Sequence, residues 1–126
     1  MKPIVLFLCT GNSCRSQMAE GWLRHLAESQ FEVLSAGTNP VDVNPRAVEV
    51  MGELGINISR QRSKHVAEFH GLAFHYVITV CDHASASCPT PPQGDVRLHW
   101  GFDDPADAQG SDSDRLQVFR RVRDEI

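Results

Sequence analysis

The 126-residue sequence has no apolar run near the roughly 20 residues that a membrane-spanning helix requires. It has no internal repeat and no low-complexity segment. Basic residues are the minority, 12 against 16 acidic ones, and the net charge of −4 disfavours a nonspecific nucleic-acid binder. Four cysteines, at 9, 14, 81 and 88, are few for a permanent disulfide framework in an intracellular chain. Reactive thiols or a metal site are the alternatives to plain core packing. The opening Lys2-Pro3 and Ile4 to Leu8 run into Cys9-Thr10-Gly11-Asn12 rather than a small-residue cleavage site. It is therefore read as a first strand and the protein as cytoplasmic, with no membrane partner. At 41% apolar and 22% charged, the composition is that of a globular chain. The length predicts one domain spanning 1–126, able to bury roughly two-thirds of its unfolded surface.

Charge is unevenly spread. Asp103, Asp104, Asp107, Asp112 and Asp114 form an acidic stretch, and Arg60, Arg62 and Lys64 a basic one. Both are read as solvated surface, Asp104 excepted.

Residues 3–9 form a continuous apolar run, as in a strand covered on both faces. Residues 16–29 follow with Met18, Trp22 and Leu26 spaced by four and Ala19, Leu23 and Ala27 beside them, an amphipathic helix. Strands are predicted at 31–36, 76–81 and 95–100. Asn44-Pro45 starts a second helix, with Ala47, Val48, Met51 and Leu54 inward and Gly55 as its stop. A short segment lies around 64–70. Leu116, Phe119, Val122 and Ile126 mark a last helix capped within Ser111 to Ser113. This alternation predicts an α/β fold, a three-layer doubly wound parallel sheet of four strands in the order 2-1-3-4. Ligands bind at the switch point off the carboxyl ends of such strands. Those ends are Cys9 and Cys81, with Asp103-Asp104-Pro105 in the loop after strand 4.

Between the first strand and helix lies Cys9-Thr10-Gly11-Asn12-Ser13-Cys14-Arg15-Ser16. It lacks the Gly-Lys-Ser/Thr ending of a nucleotide-binding loop. A tight strand-to-helix loop nevertheless turns successive N–H groups inward as an anion nest, and the helix N-terminus adds positive potential. Gly11 and Asn12 tolerate the positive φ this needs. Arg15 can clamp two oxygens with its planar fork. Thr10, Gly11, Asn12, Ser13, Cys14 and Arg15 are thus the oxyanion-binding set. The same field favours a thiolate at Cys9, and Ser16 could donate to its sulfur. Cys14 is read as structural and core-facing.

CTGNSCRSQMAEG closely resembles the loop of arsenate reductases built on the low-molecular-weight tyrosine phosphatase fold. VITVCDHASASCP and HWGFDDPA resemble two further stretches of their thioredoxin-coupled branch; NPRAVEVMGELGINIS and RVRDEI are also similar, so nearly the whole chain is covered. Family members usually carry the last helix beyond this point. The resemblance implies arsenate as substrate, thioredoxin as reductant and no cofactor. Cys9 attacks arsenic, Asp104 protonates the departing oxygen, Cys81 then attacks Cys9, and Cys88 attacks Cys81 to leave a Cys81–Cys88 disulfide. Position before Pro105 favours Asp104 over Asp103 through the family pattern; spacing alone does not choose. Glutaredoxin is the competing donor.

Cys81 and Cys88 lie seven apart, about 10.5 Å along a helix axis, whereas a disulfide needs Cα atoms within about 7 Å. If 82–88 is helical when reduced, oxidation must unwind it. Zinc held by Cys81, His83 and Cys88 is the metal alternative, without an evident fourth ligand. Two other readings stand beside the reductase: a small tyrosine phosphatase using Cys9, Arg15 and Asp104, and a non-catalytic oxyanion binder. Phosphatases of this fold usually place an aromatic residue after Asp-Pro, where this chain has Ala106. Some relatives bind potassium behind the loop through residues matching Asn12, Glu20 and Ser35 plus an aspartate, and that aspartate position is Lys64 here. Its ammonium is expected to supply the cation, paired with Glu20. His99 and Trp100 are expected to pack the strand end.

Overall fold

A computed structural model describes residues 2–69, 71–80 and 94–126. Among them lie β1 (Ile4–Cys9), α1 (Arg15–Ala27), β2 (Glu32–Gly37), α2 (Pro45–Gly52), β3 (Phe74–Thr79), β4 (Gly94–His99) and α3 (Asp112–Glu125). Single turns of 3-10 helix occupy Val66–Phe69 and Pro105–Asp107. The four strands are parallel and ordered β2-β1-β3-β4, the predicted doubly wound arrangement. β1 is central and buried from Val5 to Cys9, which explains its unbroken apolar sequence. Cys9 is paired in register with Gly37 and Leu8 with Thr79.

Two apolar clusters hold the layers. One joins β1, β2 and β3 around Leu6, Leu8, Val33 and Val77. The other joins the three helices around Met18, Met51, Ile58, Phe119 and Val122. Asn44 caps α2 through its side chain, with Pro45 in the first turn, as the sequence suggests. Ser111 and Asp114 form a reciprocal capping box at α3.

Several boundaries and faces differ from the periodicity reading. α1 is buried on every side from Ser16 to Gly21, including Gln17 and Glu20, and then emerges, so Leu26 is exposed. Its first two turns are wrapped by the loops of the site, a contact that a two-sided apolar count cannot register. In α2 the inward residues are Ala47, Val50 and Met51, while Leu54 lies past the helix and is exposed. Gly55 does act as the stop expected of it, at φ 77° just past the helix, with Ile56 N–H donating back to the Met51 carbonyl at 3.1 Å. β3 starts two residues earlier than predicted and runs from Phe74 to Thr79, and Cys81 lies outside the described residues. Trp100 is 47% exposed and does not seal the strand end; His99 instead meets Thr79 Oγ1 through Nδ1 at 2.6 Å. Lys64 leaves the solvated basic stretch altogether, its side chain being 10% exposed.

Candidate anion site

Residues 9–14 connect β1 to α1, and their carbonyl groups are all taken up on the outside of the loop. Four accept from the segment after β2: Cys9 from Thr38 N–H at 3.2 Å, Thr10 from Asn39 at 2.8 Å, Gly11 from Val41 at 2.9 Å and Ser13 from Asn44 at 3.0 Å. The Asn12 carbonyl accepts from Gln17 Nε2 at 3.0 Å, and the Cys14 carbonyl from Met18 N–H at 2.9 Å. A loop with its oxygens tied in this way is suited to turn amide N–H groups inward. Asn12 takes φ 47°, alone among the non-glycine residues described. It therefore supplies the left-handed turn that the sequence had assigned jointly to Gly11 and Asn12. Gly37 is needed for a different reason: a Cβ there would overlap the Thr10 carbonyl and press on Asn12.

The Asn12 side chain fixes the turn from behind. Its Nδ2 donates to Ser16 Oγ at 2.8 Å and Ser35 Oγ at 2.9 Å, and its Oδ1 accepts from Lys64 N–H at 3.0 Å. Asn12, Ser16 and Ser35 are all fully buried. Ser16 thereby spends an acceptor and keeps its own proton for another partner. Ser35 Oγ donates to Glu20 Oε1. Glu20 is also met by Arg24 Nη1 at 2.7 Å and by Lys64 Nζ at 3.7 Å. Lys64 Nζ further donates to the Arg62 carbonyl at 2.8 Å and lies 3.4 Å from Ser35 Oγ. Burial pushes the Lys64 ammonium below its ordinary range, and Glu20 pulls it part of the way back. The ammonium stands among Glu20, Ser35 and the Arg62 carbonyl. These residues do not fit a metal cation here, since a fixed positive group already faces their oxygens.

Cys9, Arg15 and Asp104 are the residues expected from the sequence to react. Cys9 is buried at the end of β1. Arg15 opens α1, its side chain 12% exposed, with Nη1 donating to the Phe102 carbonyl at 3.0 Å and Nη2 lying 3.4 Å from Asp104 Oδ2. Asp104 caps the turn Pro105–Asp107 by accepting from Ala106 N–H at 3.0 Å, and α3 packs on that turn. Asp103 points elsewhere, to Arg121 Nη2 at 3.1 Å. Cys14 is buried in the loop, and desolvation pushes its thiol up to about 12. It is a neutral packing group, as the sequence suggests.

Some contributors carried no recognisable sequence signal. The Phe102 carbonyl that anchors Arg15 is backbone, as are the donors of residues 38, 39, 41 and 44. Asn44 was legible only as a helix cap. Cys81, His83 and Cys88 lie outside the described residues. Among the described residues there is no group of three or more His, Cys, Asp or Glu side chains able to hold a metal. No described helix is long and apolar enough to cross a membrane.

The family model described as low molecular weight phosphotyrosine protein phosphatase matches residues 4–126. The chain belongs to that family. Within the family its curated relatives include the arsenate reductase of Halalkalibacterium halodurans, 50% identical over 125 residues, or 99% of this chain and 90% of the relative. Among solved structures, an arsenate reductase in its oxidised state superposes with a TM-score of 0.84 at 34% identity, covering 99% of this chain and 90% of that one. The thioredoxin-dependent arsenate reductase of Corynebacterium glutamicum has a TM-score of 0.69 at 32% identity over 98% of this chain and 60% of its own.

Proposed function

We propose that this chain reduces arsenate to arsenite by passing electrons through Cys9, Cys81 and Cys88, with thioredoxin as the final reductant. The observation that carries the reading is the meeting of Arg15 and Asp104 across a loop whose carbonyls are all bound on the outside. That arrangement suits a tetrahedral dianion beside Cys9, and the half-identical arsenate reductase relative supports arsenic over phosphorus as the central atom.

The steps balance as two one-disulfide exchanges after an adduct. The anion nest of residues 10–15 binds arsenate and favours the Cys9 thiolate. Cys9 sulfur attacks arsenic and forms an S–As bond as an oxygen leaves, taking its proton from Asp104. Cys81 thiolate attacks Cys9 sulfur, an S–S bond forms, and the S–As electron pair stays with arsenic, now arsenite. Cys88 thiolate then displaces Cys9 from Cys81. The thioredoxin dithiol reduces the Cys81–Cys88 bridge, and the thioredoxin-dependent relative supports this donor over glutaredoxin. Ser16 Oγ, fixed by Asn12, is the hydrogen-bond donor to Cys9. The reaction belongs in the cytoplasm, where a thiol reductant is available.

The deciding experiment is disulfide mapping by mass spectrometry after one arsenate turnover. Cys88→Ser is expected to release one arsenite per chain and to trap Cys9–Cys81. Full multiple turnover by that variant would sink the Cys88 step of the relay, whereas a wild-type chain that releases no arsenite but hydrolyses phosphomonoesters would leave the phosphatase reading, which shares Cys9, Arg15 and Asp104.

Lys64 takes the place of a bound cation behind the loop. Wild-type activity and Tm are therefore expected to be the same in sodium and potassium salts. Lys64→Met leaves Glu20 buried with Arg24 as its remaining charged partner. Breaking a buried pair costs about 3–5 kcal/mol, and the surviving Arg24 contact should hold the loss to about 1–3 kcal/mol in urea unfolding. A potassium-dependent Tm in the wild type would contradict this role.

A further inference from the structure

The Arg15 guanidinium is held in an unusual state for a buried group. Nη1 is committed to the Phe102 carbonyl at 3.0 Å. Nε is buried and has no hydrogen-bond partner among the described residues. Nη2 lies 3.4 Å from Asp104 Oδ2, longer than the about 2.7–2.9 Å of a strong charge-assisted bond. Nε and Nη2 are neighbours on one edge of the planar fork, the edge that grips an anion side-on. Half of that edge thus has no partner among the described residues, and the other half is loosely covered by a carboxylate of the same chain. A buried donor left unsatisfied costs about 1–3 kcal/mol, which is tolerable where a ligand completes it.

We propose that Asp104 is an internal placeholder for the oxyanion, so that a dianion binds with uptake of a proton by Asp104. This rests on the anion-site reading above and adds a regulation to it. A carboxylate and a dianion cannot share Nη2 without like-charge repulsion in a partly desolvated site. Asp104 must accept a proton or swing away. Accepting the proton turns a competitor into a donor. The placeholder also keeps Arg15 paired between turnovers and penalises monoanions less than dianions as pH rises. By linkage, whatever the protonated Asp104 does for anion affinity, the bound anion does for Asp104 protonation.

Other groups around Asp104 do not offer the same coupling. Cys14 stays neutral, since burial holds its thiol near 12. Asp103 is engaged by Arg121 of α3. Asp107 sits exposed in the same turn. Cys9, at the end of β1, is removed in the test.

Sulfate is the probe, because it stays dianionic from about pH 5 to about pH 8, across the range in which carboxylates and thiols titrate. Binding is measured by calorimetry on Cys9→Ser and on Cys9→Ser with Asp104→Asn, in buffers of different ionisation heat. Asparagine retains the oxygen that caps the 105–107 turn, and Asp103→Asn in the same background controls for lost charge. Expected for Cys9→Ser is a sulfate Kd that weakens by about tenfold per pH unit once Asp104 is ionised, with about one proton taken up per sulfate. Expected for the Asp104→Asn form is a Kd flat with pH and at least about tenfold tighter near neutrality. Sulfate binding with equal Kd and equal pH dependence in both chains would overturn the placeholder while leaving the anion site intact. No sulfate binding at any pH in either chain would instead sink the anion-site reading.

Discussion

Cys9→Ser is expected to abolish arsenite production, by about four orders of magnitude or more in kcat/KM, while leaving the fold intact. Serine differs from cysteine by one atom, and position 9 is buried at the end of the central strand, where a similar small side chain still fits. The hydroxyl is a far weaker nucleophile at neutral pH and cannot form the sulfur–arsenic bond or the disulfides that follow. Thermal unfolding should therefore move little, and oxyanion binding should persist, because the amide nest and Arg15 remain. Cys14 cannot substitute, being a neutral buried thiol. Appreciable arsenite formation by Cys9→Ser in the presence of thioredoxin would place the nucleophile elsewhere.

The second large effect is expected from Arg15→Lys. The substitution keeps the charge but removes the fork, and the fork does two things at once. It bonds the Phe102 carbonyl through Nη1 and offers an Nε/Nη2 edge to the anion. Lysine can satisfy one partner at a time with a single ammonium. Losing one preorganised donor to a developing oxyanion typically costs about 10²–10³ in kcat. Here the tie to the loop carrying Asp104 goes as well, so kcat/KM should fall by at least about 10³. Steady-state kinetics with saturating thioredoxin would show it, and a fall of less than about tenfold would mean that Arg15 neither clamps the anion nor holds the 102–104 loop.

The parts of this molecule that were legible in the sequence are those where local chemistry dictates structure. An unbroken apolar run at 4–9 reads as a central strand because both its faces are covered. Asn44-Pro45 and Ser111 with Asp114 read as helix starts because the orphan N–H groups of a first turn call for such side chains. Topology then delivered Cys9 and Asp104 to one rim. What stayed hidden depends on partners distant in the chain. Gln17 and Glu20 look solvent-facing by composition, yet both are buried because each meets a network: Gln17 the Asn12 carbonyl, and Glu20 the Ser35, Arg24 and Lys64 side chains. Lys64 looks like part of a basic surface stretch by composition; its pairing with Glu20 is expected only through the family resemblance, and the two meet at 3.7 Å. Leu26 and Leu54 match helical spacing but fall where their helices have already left the core. Spacing does not choose between Asp103 and Asp104; the family pattern favours Asp104, and the pairing of Asp103 with Arg121 has no local sequence signal.

The connection from β2 to α2 deserves a mutagenist's interest for what it refuses. Amides 39, 41 and 44 hold the outer rim of the turn between β1 and α1, whereas residue 40 is itself a proline and gives no amide hydrogen at all. Many side chains could be exchanged at 39 or 41 with little consequence, since only main-chain atoms are engaged. A ring closing on either nitrogen would loosen the turn from a distance. Inactive clones mapping to this stretch are therefore best sorted by whether the new residue still carries an amide hydrogen, not by hydropathy or size.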